Sequence, residues 1–309
     1  MKTINNSSVI LDTTTGEMTP IESGRYISVK ELETRKINAK AKIDTVQRHK
    51  KDSTYRGPFT VALNRDFEDI YASGISDQTL NKIIYLSTYI DNNNKLVRDG
   101  GWQKATRIIT PLTLQDIKNL LNVSDKPWRA FWREATENNL IIEKDGEYYL
   151  PRNMFRFCDT EYVDAKQTAM IKLFRHAVRY MYENTSNNTK RAMVHLYRLI
   201  PFINLTHNVM CENPFEKDIE KIVPLKMSDI CRKLGIDVSN QTRFIRELKK
   251  LHFIDKQGKE NSVITYRWFY KEEDIYWVTI NPLFYSGYIE IDEAIEMADK
   301  MFLLKEDNK

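Results

Sequence analysis

An internal duplication constrains this sequence more than any other feature. When the chain is shifted by 113 residues without a gap, the stretch that begins at Ile109 falls on the stretch that begins at Ile222. The clearest matches are Pro111 with Pro224, Asp116-Ile117 with Asp229-Ile230, Phe131 with Phe244, Arg133-Glu134 with Arg246-Glu247 and Ile141 with Ile254. Upstream, the shift also matches apolar residues, placing Ile83, Leu86 and Ile90 on Leu196, Leu199 and Ile203. A sequence that repeats in this way is expected to repeat one structural unit.

The apolar spacing inside each copy predicts two short helices joined by a tight turn. In the second copy these helices are expected at residues 227–234 and 240–251, with Ser239 as the N-cap of the later one. An apolar pair, a turn and strands follow each second helix, and residues 263–270 and 276–280 are the clearest hairpin. This order predicts an α+β chain, mainly α with small β wings, of two tandem winged helix-turn-helix domains. Two generic small helical domains are the alternative.

The length of 309 residues fits two domains of ordinary size. We expect a basic, partly flexible arm at 1–58, winged-helix domains at 59–160 and 161–289, and a C-terminal amphipathic helix at 290–309. After an Asp292 cap, the apolar face of that helix would consist of Ala294, Ile295, Ala298, Met301 and Phe302. This face is expected to pack on its own domain, and a homodimer contact is the alternative.

Positive charge is concentrated near the N-terminus. The net charge is only +4, yet residues 25–56 contain ten Lys and Arg against four Asp and Glu. A flexible basic segment can follow DNA phosphates, although it can also be an ordinary solvated linker. The predicted phosphate-contacting residues of this arm are Arg35, Lys36, Lys40, Lys42, Arg48, Lys50 and Lys51.

Cysteine usage and hydropathy bear on the compartment. Cys158, Cys211 and Cys231 are an odd, widely spaced set, which favours reduced thiols in the cytoplasm. No apolar run approaches the length of about 18 residues that a membrane span needs, so no membrane association is expected.

Each second helix carries hydrogen-bonding and cationic side chains on its outer face. In the second copy we place Gln241, Ile245 and Leu248 inward. The outward residues suit base contacts in a major groove, and the lysines further along the helix suit phosphates. The candidate DNA-binding residues are Asn240, Thr242, Arg243, Arg246, Lys249 and Lys250 in the second copy, and Lys126, Arg129 and Arg133 in the first. Lys256 and Lys259, in the loop before the second hairpin, complete the set, and a merely solvated face is the alternative.

The segment from Met227 to Asp255 resembles the helix-turn-helix of bacterial winged-helix DNA-binding proteins. Two shorter stretches, Ile10 to Glu17 and Asn281-Pro282-Leu283, resemble RepL-type replication proteins of Firmicute plasmids and phages. The tandem layout is also similar to that of initiators of iteron-containing plasmids. The resemblance implies a double-stranded DNA-binding protein of a bacterial mobile element, with host replication or transcription proteins as partners. This chain departs from the RepL type in its two units and long basic arm.

No motif supports catalysis. The five histidines never form the closely spaced pair that a metal-dependent nicking enzyme needs, and no phosphate-binding glycine loop is present. His207 and Cys211 have helical ligand spacing but lack a second pair. We therefore expect no metal, no cofactor and no enzymatic activity, although sequence alone leaves a tyrosine nucleophile open. The expected function is replication initiation. The alternatives are regulation of transcription from a phage or plasmid operon and a winged-helix protein-interaction module.

Overall fold

The computed structural model of this chain describes residues 9–11, 18–20, 29–63, 74–103, 106–157, 170–270 and 275–304. The chain divides into two compact units, residues 1–50 and 51–309. The α-helices of the described residues are α1 (Val29–Tyr55), α2 (Asp77–Ser87), α3 (Leu114–Leu121), α4 (Asp125–Glu137), α5 (Arg175–Asn184), α6 (Asn187–Arg198), α7 (Met227–Lys233), α8 (Gln241–Lys249) and α9 (Ile291–Met297).

The strands are short and all pair antiparallel with their neighbours. They are β1 (Val9–Leu11), β2 (Met18–Pro20), β3 (Phe59–Leu63), β4 (Val97–Gln103), β5 (Thr106–Pro111), β6 (Ile142–Lys144), β7 (Glu147–Tyr149), β8 (Phe155–Phe157), β9 (Met170–Phe174), β10 (His252–Ile254), β11 (Glu260–Ser262), β12 (Ile264–Tyr270), β13 (Ile275–Ile280) and β14 (Tyr285–Ser286). The pairs β1–β2, β4–β5, β6–β7, β10–β11 and β12–β13 are two-stranded sheets.

A four-stranded sheet joins the two copies of the repeat. Its order is β14-β9-β3-β8, so the inner strands β3 and β9 come from different copies and pair antiparallel, with Val61 opposite Lys172. Each inner strand also pairs with the last strand of its own copy, as Thr60 does with Phe157. The arrangement has an approximate two-fold relation, because an antiparallel pair looks the same from either strand.

One core runs through both copies. A single cluster of buried residues extends from Ala62, in the first copy, to Ala298, after the last helix. Helices α2 and α6 pack against each other, and each also carries the second helix of its own copy, α4 on α2 and α8 on α6. Burial of apolar surface is the main stabilising term in folding, so the copies stabilise each other.

The prediction of two tandem winged helix-turn-helix domains is therefore wrong, although the coarser α+β assignment agrees with the structure. The longest hairpins do not repeat, because β4–β5 precedes the helix pair α3–α4 while β12–β13 follows the pair α7–α8. The hairpins that directly follow α4 and α8 have strands of only three residues. The terminal strands β8 and β14 enter the shared sheet instead of forming wings.

Two buried asparagines show the repeat at atomic detail. Asn94 and Asn208 have positive φ angles of 61° and 55°, a conformation that Asn tolerates better than most residues. The Asn94 side-chain amide donates to the carbonyls of Leu150 and Phe155. The Asn208 amide donates to the carbonyls of residues 280 and 285, which have the same five-residue separation. We call α2 and α6, which carry the second helices, the scaffold helices of their copies. Each asparagine thus ties the loop after its scaffold helix to the end of its own copy.

Helix ends differ in detail from those expected. Asp237, rather than Ser239, caps the turn that leads into α8, and its side chain accepts from the Ser239 backbone N–H at 2.8 Å. At the C-terminus, α9 begins at Ile291 with Asp292 in its first turn, and the chain continues as a π-type turn over Ala298–Phe302. The apolar face of this segment packs on its own unit, with Ala294 and Phe302 buried.

Candidate nucleic-acid interface

Helix α8 presents the second copy's predicted contact residues to solvent. The side chains of Asn240, Thr242, Arg243, Arg246, Lys249 and Lys250 are all exposed. The inward face is rotated from the predicted one, because Phe244 and Leu248 are buried while Gln241 and Ile245 are half-buried. The side chain of Lys250 is partly engaged, since its ammonium lies 2.9 Å from the Glu247 carboxylate. The outer face therefore carries Arg243, Arg246 and Lys249 beside uncharged hydrogen-bonding groups.

Helix α4 presents the equivalent residues of the first copy. Lys126, Arg129 and Arg133 are exposed, as is Ala130, while Phe131 and Ala135 are buried. Phe131 is a core residue, and Trp128 and Trp132 pack partly buried against the same core.

A carboxylate fixes α4 to the start of α2. Glu134 accepts hydrogen bonds from the Ser76 backbone N–H at 2.6 Å and the Ser76 hydroxyl at 2.7 Å, and from the Thr79 hydroxyl. Burial opposes ionisation of this carboxyl, but those hydrogen bonds and the nearby Lys82 charge lower its pKa overall. The equivalent Glu247 pairs with Lys250 instead. The two second helices are thus held differently on their scaffold helices.

The two loop lysines make intramolecular contacts. The Lys256 ammonium donates to the Ser53 carbonyl at 2.8 Å, near the end of α1, where a cation interacts favourably with the helix dipole. The Lys259 ammonium lies 2.6 Å from the Asp299 carboxylate, and this contact raises the pKa of Lys259. Both side chains have a structural role in holding the termini of unit 51–309.

The basic arm is helical over much of its length. Residues 29–55 form α1, where the sequence suggested a flexible segment. The side chains of Arg35, Lys36, Lys40, Arg48, Lys50 and Lys51 are exposed, and that of Lys42 is not among the described side chains. Lys51 forms an ion pair with Asp292. Arg56, which the sequence counts with the arm, is instead 3% exposed and binds Asp52.

A large cleft opens between the two copies. It has a volume of about 1340 Å³ and is lined by the starts of α2 and α4, by much of α6, from Thr189 to His195, and by much of α8. Among the lining residues, Pro127 belongs to α4, Arg243 belongs to α8, and Asn240 is the N-cap of α8. Five lining side chains are cationic and three are acidic. The acidic Asp77 pairs with Arg198, which lies outside the lining, so the cleft is electropositive.

The floor of the cleft carries polar residues that sequence reasoning missed. Lys82 on α2 is 7% exposed and His195 on α6 is 9% exposed. The Lys82 ammonium lies 5.2 Å from the centre of the Phe131 ring, and the His195 ring lies 5.4 Å from that of Phe244. The two pairs correspond under the duplication, because a shift of 113 residues takes Lys82 to His195 and Phe131 to Phe244. That shift could have revealed the correspondence of Lys82 with His195, but the apolar residues around them predict helices that only form the core.

The electrostatics of the floor follow from burial. Burial lowers the pKa of Lys82, the Glu134 carboxylate opposes that shift, and the neighbouring Lys190 ammonium adds to it. Burial also lowers the pKa of Lys190 and brings that of His195 to about 4, so the imidazole is neutral at pH 7. Two ammonium groups therefore lie close enough to repel each other in a partly dehydrated space.

The described part of the chain holds no candidate for a metal site or a membrane span. No three His, Cys, Asp or Glu side chains there lie together in a way that could hold a metal ion. Among the helices of these residues, none has the length and apolar character of a membrane span. Arg267 and the acidic stretch 271–274, both of the second hairpin, lie outside the described side chains.

Comparison with known proteins found no match of this chain to a family model, a curated protein or a solved structure.

Proposed function

We propose that this chain binds double-stranded DNA through α4 and α8. The observation that carries the proposal is that both second helices begin at one electropositive cleft. Their first turns therefore lie on one side of the molecule. A long polyanion can contact both at once.

The side chains on these helices suit a DNA groove. Arg243 and Arg246 are exposed on α8 and can each bind guanine, while Asn240 can bind adenine. Lys126, Arg129 and Arg133 give α4 a cationic outer face that suits phosphates. A helix fits the major groove of B-form DNA, whereas the major groove of an RNA duplex is too narrow to read. The geometry thus favours duplex DNA over duplex RNA.

The proposal is tested with a duplex selected by the protein itself from random DNA. Arg243→Ala and Arg246→Ala should each weaken binding of that duplex by about 1–3 kcal/mol if they contact bases. Lys300→Ala is the control, because it removes the same charge from an exposed, ion-paired position near the C-terminus. Fluorescence anisotropy gives the affinities. Unchanged affinity in both arginine variants would remove α8 from the interface.

The biological role that we propose is initiation of replication in a bacterial mobile element. Its support is the resemblance of Ile10–Glu17 and Asn281–Leu283 to replication proteins. Asn281 also has a structural role, because its amide donates to the Ser262 carbonyl at 3.0 Å. Footprinting on the DNA of the source element separates this role from transcription regulation. Protected repeats inside an origin support initiation, and a protected palindrome over a promoter contradicts it.

A further inference from the structure

The cleft floor has the features of a built anion site. Lys82 and Lys190 lie near each other, and each packs its ammonium against an aromatic ring, Phe131 at 5.2 Å and Tyr182 at 4.4 Å. Their charges repel, and the nearby Glu134 carboxylate compensates the charge of Lys82 only in part. Taking charged groups out of water is costly unless they are paired. A bound anion would compensate both ammonium groups.

Unpaired polar atoms accompany these charges. Asn81 is 5% exposed and lines the cleft, and within the described residues its Oδ1 has no hydrogen-bond partner. His195, also a lining residue, has an Nδ1 that is likewise without a partner there. A buried polar atom that makes no hydrogen bond costs free energy. Of these two atoms only the His195 Nδ1 suits an anion, because it donates in the tautomer that carries its proton there, whereas the Asn81 Oδ1 is an acceptor and needs a donor.

Helix α6 adds hydrogen-bond donors at the same place. Ser186 caps its N-terminus, and Ser186 and Thr189 both line the cleft with Lys190. The N-terminus of a helix carries a partial positive charge and exposed N–H groups that favour phosphates. The Ser186 and Thr189 hydroxyls share a hydrogen bond at 2.9 Å, and the Ser186 oxygen accepts from the Thr189 N–H. The donor set for an anion therefore combines the two ammonium groups, one hydroxyl and the helix end.

We propose that the floor of this cleft, at Lys82 and Lys190, binds a phosphate group, with His195 lining the same cleft. This inference goes beyond the contacts of α4 and α8 with DNA, because these side chains lie on the scaffold helices α2 and α6. The phosphate comes either from a small phosphorylated ligand or from the backbone of a bound duplex. Since Lys82 and His195 pack on the aromatic residues that anchor α4 and α8, occupation of the floor acts on both helices through Phe131 and Phe244.

Titration of the full chain with pyrophosphate tests the site by calorimetry. Lys82→Met and Lys190→Met keep the packing of the side chain on its ring and remove the charge. Each should weaken pyrophosphate binding roughly tenfold. Lys233→Met is the matched control, because the Lys233 ammonium also lies 4.4 Å from a ring centre, that of Phe202, but outside the cleft. The control should bind as the wild type does.

Thermal unfolding without ligand shows whether each variant folds. Removing a repelled, buried charge should leave the midpoint unchanged or raise it. No pyrophosphate binding by the wild type, or equal binding by the wild type and the folded Lys82→Met/Lys190→Met double variant, would overturn the proposal.

Two further arms identify the source of the phosphate and separate this site from the DNA interface. If an excess of the selected duplex displaces pyrophosphate, the DNA backbone supplies the phosphate; if both bind together, a small phosphorylated ligand does. Arg246→Ala lies outside the cleft lining, so it should lose duplex affinity and keep pyrophosphate affinity. Failure of the phosphate site is thus measured separately from failure of DNA binding.

Discussion

At the scale of single residues, the duplication is clearest where a buried asparagine makes equivalent hydrogen bonds in both copies. Asn94 and Asn208 each have a positive φ and each donate two hydrogen bonds to buried carbonyls. Both are fully buried, with 1% and 0% exposure. A carboxylate cannot replace this amide, because it would face carbonyl oxygens without a donor.

Replacing either asparagine with aspartate should therefore destabilise the fold. We expect Asn94→Asp and Asn208→Asp to lower the free energy of unfolding by about 2–4 kcal/mol, because each removes two hydrogen bonds and leaves an unpaired buried charge. Asn139→Asp is the control, because Asn139 also has a positive φ, 54°, but is exposed. It should change stability by less than about 0.5 kcal/mol. Urea unfolding followed by circular dichroism measures all three. Equal effects at the buried and exposed positions would show that backbone conformation, not hydrogen bonding, selects asparagine.

At the scale of elements, local pattern predicted the helices well. The pair expected at 227–234 and 240–251 is found at 227–233 and 241–249. The buried face of α8 was predicted less well, because Ile245 was placed inward instead of Phe244. The alignment of Phe244 with Phe131 could have indicated the correct face, since both residues are buried.

The central sheet is a feature that local pattern could not give. Strand β3 pairs with β9, which lies more than a hundred residues away, as in the contact of Ala62 with Ile171. Nothing in the five residues of either strand specifies that partner. The cleft was missed for the same reason, because Lys82 and Lys190 meet only when α2 and α6 pack together.

The basic helix α1 leads to a prediction about salt. Deleting residues 25–50 should reduce the slope of log affinity against log salt by roughly 0.9 for each phosphate that the arm neutralises in the intact protein. Discrimination between DNA sequences should survive. The deletion must stop before Lys51, because Lys51 binds Asp292 and Arg56 is buried against Phe174. A truncated protein that keeps its full salt slope would show that the arm does not bind DNA.

At the scale of the whole molecule, the two copies share a sheet and a core. Separating them would expose the inner edges of β3 and β9 and the faces of α2 and α6 that pack together. Elements that bury one shared core are expected to unfold cooperatively. The repeat is therefore better regarded as two halves of one structure than as two independent readers.

The two halves should accordingly unfold together. Trp102, Trp128 and Trp132 report on the first copy, and Trp268 and Trp277 on the second. Variants that keep the tryptophans of only one copy, with phenylalanine at the others, should give the same urea midpoint by fluorescence. Two separate midpoints would contradict the shared core.

The position of both helices at one cleft also constrains the DNA target that we propose. If α4 and α8 enter major grooves on one face of a duplex, their half-sites should lie about 10–10.5 bp apart, or a multiple of that spacing. An insertion of about 5 bp turns one half-site to the opposite face, since it adds half a helical turn.

Binding of the intact protein to its selected duplex, with and without that insertion, is the most direct test of the account. Because both helices belong to one folded body, the second contact forms at high effective concentration, and the insertion should remove that gain. Binding to the altered duplex should then fall to the level of a duplex that carries one half-site alone. Equal affinity for the original and the altered duplex would contradict the claim that α4 and α8 read one DNA site together.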